Sequence, residues 1–420
     1  MQSATSIRHT PYAASRDSGS AVSQLVSSAF VWTCLLTTSG YALLSVPGYN
    51  FHLLLVGLIA FITLSLSLTA KLQVLAQPRI ALTYLLILVG GALLATIASA
   101  DAGNTSSFAK FFLSAVSAYM LTCYLNPQVF LKQFVYVMSG LAVISLLVYA
   151  AVNFLGVSLP LPTFVNANDM PYKAGFLFFV FDNHLTFRNT GPFWEPGIYG
   201  TYLALALLAT AALDRHRLLF RVILTVTLVS TMSTASILFL AILVGMLLIS
   251  GTNKTWQNAA WWNFGFVALV LFVLNLESVL GLLAETWPRI FSKFTAAQSI
   301  SILERTTSPT INVQIFAENP FFGLGLNGAI IEYTRLTYVS QTSTVTFLLA
   351  AIGIVGGTYF VGVVHGVFRQ SSFSLLARIA LVALVLSAIN KEPHYYFTLT
   401  YVLLFYSVQT TFRKQSSPAK

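Results

Sequence analysis

Charged side chains are scarce in this sequence. Only 8% of its 420 residues are Asp, Glu, Lys or Arg, whereas 56% are hydrophobic and the mean hydropathy is +0.78. A single soluble core of this size could not enclose so many apolar side chains, which excludes an ordinary soluble protein and indicates a polytopic membrane protein. Because the apolar runs approach the length of a membrane-spanning helix, the spans are predicted to be helical.

Cysteine is rare, and the short motifs of several enzyme classes are missing. Cys34 and Cys123 both lie in apolar runs, which argues against a disulfide framework or a thiolate metal site. The sequence has no Walker-type phosphate loop, zincin His-Glu motif or Gly-x-Ser-x-Gly elbow. The early outward loops carry no acidic pair, only a lone Asp101, so a glycosyltransferase with a metal-bound donor is not supported. No metal and no cofactor are predicted.

Runs near twenty residues predict twelve spans, which places both chain termini on the same side of the membrane. Residues 1–20 are predicted to be a cytoplasmic tail rather than a signal peptide, and 1–420 to be a single membrane domain. The seventh span is short and could be half of a hairpin that turns at "STMSTAS", residues 230–236. The predicted spans cover about 25–46, 51–70, 79–98, 109–126, 133–156, 192–213, 218–231, 233–251, 259–282, 344–366, 375–390 and 395–412.

The distribution of charge supports this topology. Fourteen basic and two acidic residues fall on the proposed cytoplasmic side, a net +12, and eight basic and ten acidic residues fall on the other side, a net −2. Together they account for the total of +10. A cytoplasmic excess of Lys and Arg is typical of inner-membrane proteins. The basic residues are spread over short loops, so the pI of about 9.6 does not indicate a nucleic-acid partner.

Two segments on the non-cytoplasmic side, 157–191 and 283–343, are too long to be simple connectors and too aromatic to be disordered. Both are expected to be ordered and to contain short helices. Apolar residues from Trp287 to Phe294 fall at i, i+3, i+4 and i+7, which is typical of a helix that lies on a membrane surface.

A second short helix is predicted farther along the same loop. Ser308 would cap it, Pro309 would take its first position, and Asn319 with Pro320 would end it. Arg305 would then lie at the turn between the two helices. "GLGLNG" follows at 323–328, where glycines would let the backbone approach a ligand closely.

The stretch "FRNTGPFWEPGIYG" at 187–200 places Arg188 and Glu195 at the mouth of an apolar helix. An ionised side chain at membrane depth usually faces a cavity or a partner. The two are therefore either an active-site pair or an ion pair that fixes the loop to the sixth span. Trp194 could be an ordinary interfacial anchor.

Two further arginines lie in the second loop. Arg305 could bind a phosphate through its planar guanidinium, or could pair with Glu304 or Glu318. Arg335, which has a tyrosine two residues before it and another three residues after it, could belong to a solvated loop or to a sugar-binding surface.

A short turn between the last two spans, "NKEPHYYF" at 390–397, carries Lys391, Glu392 and His394. A short turn needs no such density of ionisable groups, which favours a functional role over a merely solvated turn. His394 has no second His or Cys at ligand spacing, so no metal site is proposed there.

Four segments in order resemble the O-antigen polymerase and ligase superfamily, which comprises Wzy-type polymerases and lipopolysaccharide ligases. They are "RNTGPFWEPGIYGTYLALAL", "LVSTMSTASILFLAILVG", "RTTSPTINVQIFAENPFFGLGLNG" and "STVTFLLAAIGIVGG". The resemblance covers roughly residues 185–365. It implies a GT-C-like, metal-independent glycosyltransferase of the bacterial inner membrane that acts at the periplasmic face on undecaprenyl-diphosphate-linked glycan, both as donor and as acceptor.

The resemblance also implies roles for individual residues. Arg188 and Arg305 match the arginines of the two periplasmic loops and would stabilise the leaving diphosphate. Glu195, expected one turn into its helix, is the first choice for the base that deprotonates the acceptor hydroxyl, ahead of Glu392 and His394. Gly323 and Gly325 match a Gly-x-Gly turn. The residues expected to bind substrate are Trp194, Tyr199, Asn327, Arg335, Lys391, Glu392, His394 and Tyr395.

Related functions stay open at this point. Ligases of the superfamily tend to have a His-Asn pair where this chain has Thr342 and Ser343, which favours a polymerase over a ligase that transfers glycan to lipid A core. A transporter or flippase for lipid-linked oligosaccharide would suit twelve spans, although the two long outer loops argue against it. A chain-length regulator protein is expected as a partner, besides the lipid bilayer.

Overall fold

The computed structural model is mainly helical. Helix makes up 79% of it, which confirms the predicted helical class. The structure describes residues 21–36, 79–99, 102–165, 171–175, 177–181, 188–213, 216–233, 236, 239–243, 300–338, 341–369, 375–390 and 394–409.

The α-helices are α1 (Ala21–Leu36), α2 (Arg79–Ser99), α3 (Ala102–Tyr124), α4 (Pro127–Phe154), α5 (Pro196–Ala209), α6 (Arg217–Ser230), α7 (Ile300–Glu318), α8 (Leu326–Leu336), α9 (Thr344–Ile352), α10 (Gly357–Phe368), α11 (Leu375–Ile389) and α12 (Thr398–Gln409). Short 3-10 helices cover Thr210–Ala212, Gly353–Gly356 and His394–Tyr396. The strands are β1 (Thr163–Val165), β2 (Pro171–Ala174) and β3 (Phe179–Phe181).

Three helical stretches within the described ranges are long and apolar enough to cross a membrane: Arg79–Ser99, Pro127–Phe154 and Thr344–Phe368. They coincide with the third, fifth and tenth predicted spans, so the chain is membrane-associated. Twelve spans and a GT-C-like arrangement stay predictions. The second and ninth predicted spans, 51–70 and 259–282, and the surface helix expected at Trp287–Phe294 lie outside the described residues.

The helices pack as two groups around one continuous apolar core. One group contains α1, α4, α5 and α6, and the other contains α2, α3 and α7 to α12. The groups meet where the ring of Phe130 on α4 lies 5.5 Å from that of Tyr406 on α12, and where the Tyr406 hydroxyl donates to the Leu125 carbonyl at 2.9 Å. They meet again where α5 faces α11 and α12.

The first long loop contains strands where short helices are expected, so that part of the fold-class prediction is wrong. The three strands form an antiparallel sheet in the order β1-β2-β3, with Phe164 opposite Tyr172 and Lys173 opposite Val180. The reason lies in the local sequence, because "TFV" and "FVF" are aromatic and β-branched runs that favour strands.

The second long loop also differs from the prediction. Residues 300–318 form one helix, α7, that continues through Pro309, so Ser308 is not an N-cap and Arg305 does not lie at a turn. Pro309 removes one backbone hydrogen bond. Packing compensates, because buried Ser308 and Asn312 hold α7 to α8 and α9 by side-chain hydrogen bonds on either side of the proline.

The span Thr344–Phe368 is interrupted by the 3-10 helix Gly353–Gly356, which frees two carbonyl groups of α9. The N–H of Leu324 donates to the Ala350 carbonyl at 3.1 Å, and the N–H of Gly325 donates to the Ala351 carbonyl at 2.9 Å. Backbone polar groups within a membrane must be paired inside the protein. The "GLGLNG" segment therefore stabilises the break, and the third and fourth resembling segments contact each other.

Two glycines at this contact have left-handed backbones, Gly323 at φ +67° and Gly353 at φ +65°. A Cβ at Gly323 would overlap the backbone of Ala351, and one at Gly353 would overlap the backbone of Phe321. Sequence analysis predicts that the "GLGLNG" segment lets the backbone approach a ligand closely. At Gly323 the structure shows a close approach to the backbone of the chain itself, and the approach of a ligand stays a prediction.

Asn104, a buried residue of α3, caps α8 from outside that helix. Its Oδ1 accepts the N–H groups of Asn327 at 2.6 Å and Gly328 at 3.2 Å, and its Nδ2 donates to Ser99 Oγ at 2.6 Å. The residue before α8 is Gly325, which has no side chain for this role. Asn327 is half-buried at the first turn of α8 as a result.

Asn104→Ala should lower the free energy of unfolding by about 1–2 kcal/mol, because two N–H groups at the start of α8 lose their acceptor. Thermal unfolding of the purified protein in detergent measures the change. The matched control is Asn153→Ala, whose amide donates to the Tyr149 carbonyl one turn earlier in the same helix, α4. Equal melting temperatures for the two variants would show that the cap contributes nothing.

Candidate active site at the N-terminus of α5

Arg188 lies against the turn that ends α6. Its Nε donates to the carbonyl oxygen of Thr231 at 3.2 Å, and the N–H of the next residue, Asn189, donates to the carbonyl of Ser230 at 3.0 Å. Arg188 is half-buried. The "RNTG" segment and the "STMSTAS" turn are therefore in direct contact, which brings the first two resembling segments together.

A cluster of buried polar side chains holds the loop that carries Arg188. The Asn189 amide donates to Ser145 Oγ at 3.2 Å and to Ser230 Oγ at 3.0 Å, while its Oδ1 accepts the N–H of Gly191 at 3.0 Å. Ser145 Oγ lies 2.9 Å from the hydroxyl of Tyr199, which is buried. These bonds join α4, α5 and α6 and hold the loop that carries Arg188.

Sequence reasoning missed Asn189 and Ser145. The sequence could have indicated them, because polar side chains at membrane depth are rare and usually have a hydrogen-bond partner. Tyr199 was predicted to bind substrate, and the structure places it in the interior. Gly191, at φ +54°, lies so close to the Tyr199 ring that a Cβ would overlap it.

Glu195 directly precedes α5 and is half-buried, with φ −129° and ψ +131°. The expectation that it lies one turn inside the helix is wrong. Pro196 explains the difference, because proline suits the first helical position and disfavours helical geometry in the residue before it. The Glu195 side chain makes no capping hydrogen bond to α5. Its carboxylate lies at the positive end of the helix dipole.

The small sheet packs against this turn. Trp194 packs on the cluster formed by Tyr172, Phe179 and Phe164, and Thr190 Oγ1 donates to the carbonyl of Phe179 at 2.7 Å. The sheet thus places an aromatic surface beside Glu195, with Trp194 half-buried within it.

The predicted arginines of the second loop lie on two different helices. Arg305 belongs to α7, and its side chain lies outside what the structure describes. Arg335 on α8 pairs with Glu332 at 2.5 Å, and its side chain is 68% exposed. The hydrogen bond from Arg335 lowers the pKa of Glu332. Tyr333 points the other way, buried, with its hydroxyl 2.8 Å from Ser308 Oγ.

The turn between α11 and α12 is described in part. Lys391 and Glu392 lie outside the described residues, and His394 begins the 3-10 helix His394–Tyr396. Tyr395 is buried, and its ring is stacked on that of Phe347 at 4.2 Å. The substrate-binding roles predicted for these residues stay predictions.

Sequence reasoning also missed Lys110, on α3. Its Nζ lies 5.9 Å from the centroid of the Tyr396 ring, a distance that allows a cation–π interaction. Ser114, one turn farther along, donates to the Tyr396 carbonyl at 2.6 Å. The sequence could have indicated this residue, because a lysine within an apolar span is rare. Lys110 adds a positive charge beside the turn that carries His394.

A narrow crevice of about 10 Å³, room for about one water molecule, lies between α5 and the pair α11 and α12. Thr201 on α5 lines it, six residues or about 9 Å along the helix from Glu195. Ile389 lines the opposite side and directly precedes the turn that carries Lys391 and Glu392. The crevice is mostly apolar and is lined by Thr201, Tyr202, Leu205, Ile389, Leu399, Thr400 and Leu403.

No protein-family model, no curated protein and no solved structure matches this chain. The resemblance to the O-antigen polymerase and ligase superfamily therefore rests on the four segments of its sequence.

Proposed function

We propose that this membrane-associated protein is a glycosyltransferase of the bacterial inner membrane. It would polymerise undecaprenyl-diphosphate-linked oligosaccharide repeat units into O-antigen or exopolysaccharide at the periplasmic face. Both chain termini would be cytoplasmic.

The observation that carries this proposal is the fixed position of Arg188 and Glu195 at the start of α5. The guanidinium of Arg188 is tied to the Thr231 carbonyl, buried hydrogen bonds of Asn189 hold the same loop, and Glu195 directly precedes the helix. A cationic and an acidic side chain beside apolar helices match the amphipathic character of a lipid diphosphate.

In the proposed reaction, the hydroxyl oxygen of the acceptor sugar attacks the anomeric carbon of the donor. The bond from that carbon to the diphosphate oxygen breaks, and undecaprenyl diphosphate leaves with the bonding electrons. Glu195 takes the proton of the acceptor hydroxyl. Arg188 and Arg305 offset the charge that develops on the diphosphate, as preplaced donors do in other transferases.

The deciding experiment uses purified full-length protein in liposomes with undecaprenyl-diphosphate-linked repeat units as the only substrate. We expect products that differ by whole repeat units, resolved on gels or by mass spectrometry. Transfer only to added lipid A core would indicate a ligase instead. Movement of intact substrate across the bilayer without new glycosidic bonds would indicate a flippase, and either result would overturn the proposal.

A further inference from the structure

Two aromatic side chains are exposed at the turn between α7 and α8. Phe321 is 74% exposed and Phe322 is 56% exposed, and Ile354, in the nearby break of the span Thr344–Phe368, is 66% exposed. The N–H of Ile354 donates to the carbonyl of Pro320 at 2.8 Å, so the turn is bonded to the break. Phe321, Phe322 and Ile354 are called the hairpin tip, because α8 turns back there along α7.

The height of the hairpin tip in the membrane follows from α10. This helix ends beside Arg369, an exposed arginine on the predicted cytoplasmic side. Ile354 lies 15 residues before Arg369, which corresponds to about 22 Å at about 1.5 Å per residue. The hairpin tip therefore lies about 22 Å above the cytoplasmic end of the span.

The helix α2 gives a second measure of the same height. Val355 lies against Gly91, where an added Cβ would overlap the Val355 side chain. Gly91 lies 12 residues after Arg79, the first residue of α2, which corresponds to about 18 Å. The two helices are level at their cytoplasmic ends, because the hydroxyl of Tyr84 lies 3.4 Å from Nδ1 of His365. Both helices therefore give similar heights.

These heights place the hairpin tip inside the hydrocarbon core of the membrane. The core is about 30 Å thick, so a point about 18–22 Å above its cytoplasmic boundary lies about 8–12 Å below the outer boundary. Helix tilt reduces the height gained per residue and would place the tip deeper. Phenylalanine and isoleucine are favourable at this depth, and an exposed side chain there contacts acyl chains.

The backbone of the turn is paired within the protein, as backbone in hydrocarbon must be. Pro320 has no N–H group, and its carbonyl accepts from Ile354. The N–H groups of Gly323, Leu324 and Gly325 donate to the carbonyls of Asn319, Ala350 and Ala351 at 3.1, 3.1 and 2.9 Å. The turn thus meets the requirement for a segment that enters a membrane without crossing it.

The exposed face of α7 is polar above the tip. Thr310, Gln314 and Glu318 are exposed and follow one another at intervals of four residues, so they share one side of the helix. Side chains lean toward the N-terminus of their helix, which directs Glu318 away from the tip and toward the outer side. The exposed surface changes from polar to aromatic between Glu318 and Phe321, as expected where a helix passes from water into hydrocarbon.

We propose that α7 and α8 form a hairpin that enters the membrane from the predicted periplasmic side, with the hairpin tip among the acyl chains of bilayer phospholipids. Part of the second long loop is then a membrane element. This placement does not depend on the proposed enzymatic function.

Spin labelling of the full-length protein in phospholipid liposomes without undecaprenyl lipids tests the placement. Phe321→Cys and Phe322→Cys would each carry a nitroxide, in a background in which the two buried cysteines are replaced by alanine. Electron paramagnetic resonance then compares collisions with oxygen, which concentrates in hydrocarbon, and with a water-soluble nickel chelate. We expect an oxygen-to-nickel ratio severalfold higher than that of a label at Tyr338→Cys, an exposed residue beyond the far end of α8.

Leu94→Cys is the depth-matched reference. Leu94 is exposed on α2, 15 residues or about 22 Å from Arg79, so its label should give a ratio similar to that of the hairpin tip. If the alanine background fails to fold, the wild-type background serves, because its buried cysteines are shielded from the labelling reagent.

Two results would overturn the proposal. A ratio at Phe321 and Phe322 equal to that at Tyr338 would place the hairpin tip in water. Few collisions with either reagent would show that protein, and not lipid, covers the tip. A high ratio in a protein that forms no polymer would support the hairpin and refute the polymerase.

Discussion

Arg188→Ala should slow glycan polymerisation about 10²-fold or more, the cost of removing one preplaced donor from a developing negative charge. Arg188 is tied by its Nε to the Thr231 carbonyl, which fixes the position of its guanidinium in the loop before α5. Arg305→Ala should have a comparable effect. Initial rates of polymer formation in liposomes measure both, and the length distribution of cell-surface polysaccharide provides a second readout.

The matched control for this prediction is Arg79→Ala. Arg79 is an exposed arginine at the start of α2, on the predicted cytoplasmic side, so its removal should leave the rate nearly unchanged. Arg188→Lys keeps the charge and loses the planar fork, so an intermediate rate is expected. Wild-type chain lengths from Arg188→Ala, with normal folding, would remove this residue from the mechanism.

Gly353→Ala should lower the free energy of unfolding by about 3 kcal/mol or more. The new Cβ would overlap the backbone of Phe321, and alanine is strained at φ +65°. Gly323→Ala should act similarly, because its Cβ would meet the backbone of Ala351 on the other side of the same contact. Thermal unfolding followed by size-exclusion chromatography in detergent measures the loss.

Gly140→Ala is the control for these two substitutions. Gly140 lies within α4, and a Cβ built there meets nothing within 4 Å. Alanine is the better helix former, so this variant should be unchanged or more stable by about 0.5–1 kcal/mol. If Gly353→Ala melted together with Gly140→Ala, the tight backbone contact between the "GLGLNG" segment and the broken span would be refuted.

The errors of sequence reasoning have a common physical origin. Pro309 and the cap-like Ser308 indicate a helix start, yet α7 runs through both because α8 and α9 hold it on either side. The position of Glu195 follows from the local sequence, because Pro196 alone suffices to place the preceding residue outside α5. Local signals were reliable where no distant contact opposed them.

The candidate site was predictable in part. Arg188 and Glu195 stand out because charge is rare at membrane depth. Asn189 and Ser145 do not, since their importance comes from contacts between residues more than 40 positions apart.

By itself, the sequence determined that this chain is helical and belongs in a membrane, because hydropathy and span length depend on composition and need no distant contacts. Only the tertiary structure decided that four separated segments meet as two pairs, and that a crevice opens between α5 and the helices α11 and α12. Those choices depend on packing and on pairing of backbone polar groups across tens of residues. A one-dimensional pattern does not encode these contacts.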